Sequence, residues 1–262
     1  MDTPAVTVNN FSLELGGAQI LNDVSFSVLP GDYLSIVGPN GAGKTTLLKC
    51  LNRVLTGGSG DVRICGTPIG ELSQRELAQR VSYVPQLDGR SLPFTAAEFM
   101  AMGRYPYLSS FSGIREHDRS ELNAAACQAG IEDLLERQLD TLSGGERQKV
   151  FIAAALAQGA QIMLLDEPTT FLDYRHQVEV GRLLRHLNRE GGKTVLAVTH
   201  DLNSALDGCN RALALKQGEI VFDGPPVELL QETRLRDIYR TEFAFIEQPG
   251  SELPFIRPWE AL

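Results

Sequence analysis

At 262 residues, with 43% apolar and 22% charged side chains, the chain has the composition of a folded globular protein and length for one large domain or two closely joined ones, which excludes a disordered or low-complexity polymer. Lys plus Arg number 24 against 33 Asp plus Glu, a formal charge of -9, so the average surface repels nucleic acid and anionic lipid alike. The longest apolar runs, "VFIAAALA" and "IMLLD", fall short of the roughly 18 residues of a membrane span, and "MDTPAV" has no basic, apolar leader, which together predict a cytoplasmic protein.

In chain order, "VTVNNFSLEL" and "ILNDVSFSVLPG", parted by Gly16 and Gly17, predict two antiparallel strands. "DYLSIVG" predicts a short apolar strand ending at Gly38, and "KTTLLKCLNRVL" repeats its apolar positions at helical spacing, giving strand, Gly loop, helix. "GSGDVRICGTPI" predicts another hairpin, and "RVSYVPQ" a strand stopped by Pro85. Between residues 87 and 157 the pattern turns helical, in "TAAEFMAMGRY", "REHDRSELNAAACQAG", "IEDLLERQL" and "ERQKVFIAAALAQ". "QIMLLDEP" and "KTVLAVTHD" then predict buried strands separated by the helical "RHQVEVGRLLRHLNRE", an alternation that argues for a parallel sheet. The last thirty residues, with Pro249, Pro254 and Pro258, predict a short extended appendage. Cys50, Cys65, Cys127 and Cys209 form no C-x-x-C pair, so neither a zinc site nor a disulfide framework is indicated.

The segment from Gly38 to Thr45 fits G-x-x-x-x-G-K-[ST] between a strand and a helix, where glycines let backbone N–H groups curl around phosphates. Lys44 then reaches the β and γ phosphates, and Thr45 ligates Mg²⁺. Asp166 and Glu167 end an apolar strand and point to opposite faces, which suits Asp166 to a magnesium shell and Glu167 to polarising a water. Gln86 and His200 also follow strands, and in open parallel sheets ligands collect at the carboxyl ends of strands. His117, His176 and His186 are read as ordinary polar residues. In "LSGGERQ", Ser143 and Glu146 have the spacing of a capping box, which accounts for the Ser and the Glu but not for Gly144 and Gly145, costly at a helix start unless something approaches the backbone.

Taken together, these stretches resemble the nucleotide-binding subunits of ABC transporters. "GPNGAGKTT" resembles the family's Walker A, "VPQ" its Q-loop, "LSGGERQ" its signature, "IMLLDEP" its Walker B, "FLD" its D-loop and "VTHD" its switch histidine, in order across residues 5 to 230. The resemblance implies an α/β fold: a P-loop NTPase core with a mainly parallel sheet, an N-terminal antiparallel β-subdomain and an inserted α-helical subdomain. On that pattern residues 1–86 and 158–232 form the core with its β-subdomain, 87–157 the helical subdomain and 233–262 the appendage. It further implies that ATP is held by Gly38, Pro39, Asn40, Gly41, Ala42, Gly43, Lys44, Thr45 and Thr46, with Gln86, Ser143, Gly144, Gly145 and Asp173 contributing. Mg²⁺ is assigned to Thr45, Gln86 and Asp166, and catalysis to Glu167, His200 and Lys44.

Two such subunits, as a homodimer or a paired ABC subunit, are expected to join head to tail so that Ser143 and Gly145 of one meet the γ-phosphate held by the other. The family stacks adenine on an aromatic residue just before the first Gly turn; here Leu15 stands in that place, leaving Phe11 or the apolar contact of Leu15. "LPFTAAEFMAMGRYPYLSSF" and "PTTFLDYRHQVEV" resemble the ATPases of metal-chelate importers for ferric siderophore, heme or cobalamin, which implies two transmembrane permease subunits, an indirect link to a substrate-binding protein and a peripheral place on the cytoplasmic face of the membrane. An ABC exporter subunit is the nearest alternative. A nucleic-acid machine of the same superfamily is disfavoured by the single Walker A and the acidic balance, and a GTPase by the lack of an N-K-x-D motif.

Overall fold

The computed structural model describes residues 3–87, 89–108, 113–247 and 253–259. Its elements in chain order are β1 (Val6–Leu15), β2 (Ala18–Val28), β3 (Tyr33–Val37), α1 (Lys44–Leu51), β4 (Ser59–Ile64), β5 (Thr67–Pro68), α2 (Gln74–Arg80), β6 (Val81–Val84), α3 (Ala96–Met102), α4 (Glu116–Ala129) and α5 (Gly144–Ala157). There follow β7 (Ile162–Asp166), α6 (Tyr174–Arg189), β8 (Thr194–Val198), α7 (Leu202–Leu206), β9 (Arg211–Lys216), β10 (Glu219–Gly224), α8 (Pro226–Leu229), α9 (Glu232–Tyr239), β11 (Glu242–Ile246) and β12 (Phe255–Trp259). The chain divides into two compact units, residues 1–66 with 196–262, and residues 67–195.

In the first unit β1 pairs antiparallel with both β2 and β4. Val6 and Val8 face inward, but Asn10 takes a φ of +48° and a bulge shifts the register, so the inward positions become Phe11 and Leu13. The bulge is pinned by Asn10 Nδ2 donating to Asp23 Oδ1 at 2.8 Å. Strand β3, buried along its whole length, runs parallel to β9, which continues antiparallel into β10. Among its described residues the expected appendage is folded rather than merely extended: α9 leads into β11, which pairs antiparallel with β12. The side chain of Asn203 on α7 donates from Nδ2 to the Ile256 carbonyl at 2.8 Å and accepts at Oδ1 from the Ile256 amide at 2.8 Å, as a neighbouring strand would. Ile256 thereby joins Leu202, Leu206 and Ile238 in one apolar core. Pro249 lies outside the described residues.

In the second unit β6 and β7 run parallel, Val84 opposite Leu165, and the apolar helix α5 packs against α3, α4 and α6. Arg104, just beyond α3, donates to Asp118 Oδ1 at 3.0 Å and to the Ala157 carbonyl at 2.7 Å, tying three helices with a buried ion pair. The Asp118 carboxyl is held below the usual carboxylate range, first by the Arg115 amide and then by Arg104. "IEDLLERQL", expected as a helix, forms only short 3₁₀ turns. The carbonyls of Leu135 and Arg137, which a helix would bond internally, instead accept from Ala97 and Ala96 at the start of α3. Helix α2, which the periodicity reading passes over, carries its own signal in the capping box of Ser73 and Glu76.

Candidate active site

Each unit carries one set of the expected residues. In the first, β3 delivers the chain to Gly38, whose φ is +139° and whose missing Cβ would stand 2.0 Å from the Leu215 carbonyl oxygen. Gly43, φ +97°, closes the loop; a Cβ there would meet Ile20 O and Leu21 Cδ2, each at 2.8 Å. Both loop ends therefore demand glycine for packing as well as for dihedral reasons. Gly43 begins α1 without any side-chain capping bond, and the helix start carries a partial positive charge. Lys44, 6% exposed, folds its ammonium back over the loop and donates to the carbonyls of Gly38 at 2.7 Å and Pro39 at 3.0 Å. Strand β8 ends beside the same strand β3, since the Thr199 amide donates to Ile36 O at 3.2 Å, and the next residue is His200, exposed. The turn carrying it is fixed by Asp201 N on Thr199 Oγ1 at 3.1 Å and Asn203 N on Asp201 Oδ1 at 3.0 Å.

The second unit holds the acidic pair. Asp166, only 2% exposed, accepts from the Tyr83 hydroxyl at 3.1 Å; burial first, and then the Asp166 charge, push the Tyr83 phenol upward. Glu167 takes a φ of +49°, a conformation uncommon outside glycine, which turns it away from the direction of β7. Its Oε2 accepts from Gln86 Nε2 at 2.8 Å and from Thr170 Oγ1 at 3.0 Å. The parallel register makes the first contact possible, because Gln86 and Glu167 each lie two residues past a paired position, Val84 and Leu165.

Ser143 begins α5 with a complete capping box: its Oγ accepts from Glu146 N at 3.3 Å, and Glu146 Oε2 accepts from Ser143 N at 2.7 Å. Asp173 caps α6 with its side chain alone, accepting from His176 N at 2.9 Å. Its carboxyl is held below the ordinary range by that amide first and by the His176 ring second. The two glycines of "LSGGERQ" differ. A Cβ on Gly144 would make ordinary contact, 3.6 Å from Leu172, whereas one on Gly145 would lie 2.1 Å from the His176 ring.

Residues 21–170 match the sequence pattern of the family described as ABC transporter. The chain belongs to the ABC transporter family. This ABC subunit is 34% identical over 250 residues to the iron(3+)-hydroxamate import ATP-binding protein FhuC of Bacillus subtilis, covering 95% of this chain and 93% of that one. It is 38% identical over 247 residues to the ferric enterobactin transport ATP-binding protein FepC of Escherichia coli, covering 94% and 91%. A bacterial ABC transporter cassette solved as a dimer is 31% identical, with a TM-score of 0.73 over 84% of this chain and 98% of that one. The fold class is that of the ABC ATPase cassettes, and the subunit is an ATPase of that family. Among the described residues no helix is long and apolar enough to cross a membrane.

Of the two candidates for the base, Phe11 is withdrawn: the bulge turns it inward, 7% exposed, and a Cβ on Gly58 would lie 2.3 Å from its ring. Leu15, 38% exposed, is the last residue of β1 and pairs with Ala18 across the Gly16–Gly17 turn. Three polar partners within the second unit escape the motif reading. Tyr83 carries no signal beyond its place on a strand, Thr170 is visible only as a hydroxyl three residues after Glu167, and His176, given no special role from sequence, is the ring against which Gly145 packs.

Proposed function

We propose that this subunit powers the import of a metal chelate, with a ferric siderophore as the first choice of cargo and cobalamin or heme next. The likeness to subunits named for hydroxamate and enterobactin transport supports this, as do the stretches after Gln86 and after Glu167; residues 109–111 of the former lie outside the described residues. Two transmembrane permease subunits, a substrate-binding protein acting through them, and a peripheral position on the cytoplasmic face of the membrane complete the proposed assembly. Nucleic acid is not a proposed partner.

The observation that carries the hydrolytic mechanism is the Glu167 carboxylate, oriented by Gln86 and Thr170 beside the buried Asp166. In this reading ATP lies in the loop of residues 38–46, where Lys44 balances charge on the β and γ phosphates. Glu167 orients the attacking water and accepts its proton, and His200 contacts the γ-phosphate. A partner protomer supplies Ser143 and Gly145, with Asp173 on the same donated face, so that each reaction centre draws on two chains. Mg²⁺, by likeness to the family pattern, would take its ligands from Thr45, Asp166 and Gln86, residue types with the hard oxygens such an ion prefers; within its own unit Gln86 spends Nε2 on Glu167, which leaves Oε1 as the atom it would offer. When bound, the ion neutralises phosphate charge.

Two expectations test this reading. Replacing Lys44→Ala in the host should stop accumulation of labelled ferric siderophore; undiminished uptake of both hydroxamate and catecholate chelates would contradict the cargo assignment. With Leu15 in place of an aromatic ring, base stacking worth about 1–3 kcal/mol is lost. GTP should then be hydrolysed with kcat/KM within about tenfold of ATP, and a preference for ATP above about a hundredfold would show that the base is read elsewhere.

A further inference from the structure

We propose that His176 is a positioning residue of the hydrolytic reaction, one that locks Asp173 and the signature end of α5 into a single block within each protomer. This rests on the shared-site reading above. The His176 ring has two partners at once. Its Nδ1 and its own backbone amide both lie 2.9 Å from Asp173 Oδ1, and since a carboxylate only accepts, Nδ1 carries the proton. The Cβ–Cγ–Cδ2 side of the same side chain fills the space a side chain on Gly145 would take, with Cγ and Cδ2 each 2.1 Å and Cβ 2.6 Å from the missing Cβ. Gly145 therefore has a reason inside its own chain: only without a Cβ can the start of α6 close on the start of α5. Farther along, Lys149 on α5 bonds Glu179 on α6, with Arg175 also on Glu179 at 2.9 Å, so the two helices stay joined when the His176 ring is removed.

The residues tied by this ring, Asp173 on one side and Ser143 to Gly145 on the other, are those the proposed mechanism offers to the nucleotide of the partner. A rigid joint between them fixes their spacing, and positioning of this kind acts on the transition state more than on nucleotide capture.

The test uses full chains and a site rebuilt by mixing Lys44→Ala protein with Ser143→Arg protein. In that mixture the Lys44→Ala chain supplies the intact signature end. Adding His176→Ala to that chain should lower kcat about tenfold with KM for ATP within about twofold, while adding it to the Ser143→Arg chain, whose signature end is already dead, changes nothing further. His176→Asn, whose Nδ2 occupies the place of Nδ1, should restore most of the rate and covers the case in which His176→Ala folds poorly. An equal loss from either chain, a kcat within twofold of the unmodified mixture, a KM rising in step with the loss of kcat, or no rescue by Asn would each overturn the inference. A mixture silent before His176 is touched, in proven heterodimers, strikes the shared-site reading beneath it instead.

Discussion

Glu167→Gln protein will bind ATP, hydrolyse it at least about a hundredfold more slowly than native, and accumulate as a nucleotide-bound dimer. Gln matches Glu in shape, so the Thr170 hydroxyl still finds an oxygen to donate to. What disappears is the basic oxygen that takes the proton from water, a contribution typically of about 10² to 10⁴ in rate. With its amide oxygen in the place of Oε2, the new side chain also keeps the acceptor for Gln86 Nε2, 2.8 Å away in the native pair, so the loss is one of basicity and not of local structure. Because hydrolysis is what separates the protomers in this mechanism, blocking it holds them together. Steady-state phosphate release and size-exclusion chromatography with and without ATP check both halves. A kcat within tenfold of native would remove Glu167 as the base, and a monomer at saturating ATP would count against nucleotide-bridged pairing.

The chain announces some of this site and hides the rest for physical reasons. The strand, Gly loop and helix around Lys44 are legible because loop dihedrals, helix start and phosphate chemistry all demand particular residues in one short window. The capping box at Ser143 is equally local, and it forms as the spacing indicates. Phe11 could not be placed from the alternation of β1, because one positive φ at Asn10 reverses which face the following residues take. "IEDLLERQL" has helical spacing, yet its carbonyls are claimed by α3 some forty residues away in sequence, a competition that periodicity does not register. The contact of Gly145 with His176 and the pairing of Asn203 with Ile256 join residues distant in the chain, so each is visible only once helices and strands are docked. The second glycine of the signature thus faces the His176 ring, an occupant that no local pattern names.

Ser143→Arg protein should lose hydrolysis while keeping ATP affinity at its own loop within about threefold of native. The substitution has two effects of different size. Within the chain it removes the hydroxyl that accepts from Glu146 N, a helix-capping loss of about 1 kcal/mol that a domain of this size absorbs. Between chains it places a long cation where the mechanism puts the γ-phosphate of the partner, with the reach to block the close approach that hydrolysis requires. Nothing in the first effect reaches the contacts of Lys44 with Gly38 and Pro39, which lie in the same protomer's loop. Parallel loss of ATP binding and of thermal stability would show that Ser143 serves helix initiation alone.

The most direct measurement is therefore complementation between Lys44→Ala and Ser143→Arg chains, each inactive by itself. In an equal mixture half of the dimers are mixed, and each of these pairs an intact loop from one chain with an intact signature end from the other, so phosphate release should return to about a quarter of the native rate. Mixed dimers that form, bind ATP and release no phosphate would contradict the claim that two protomers share one reaction centre.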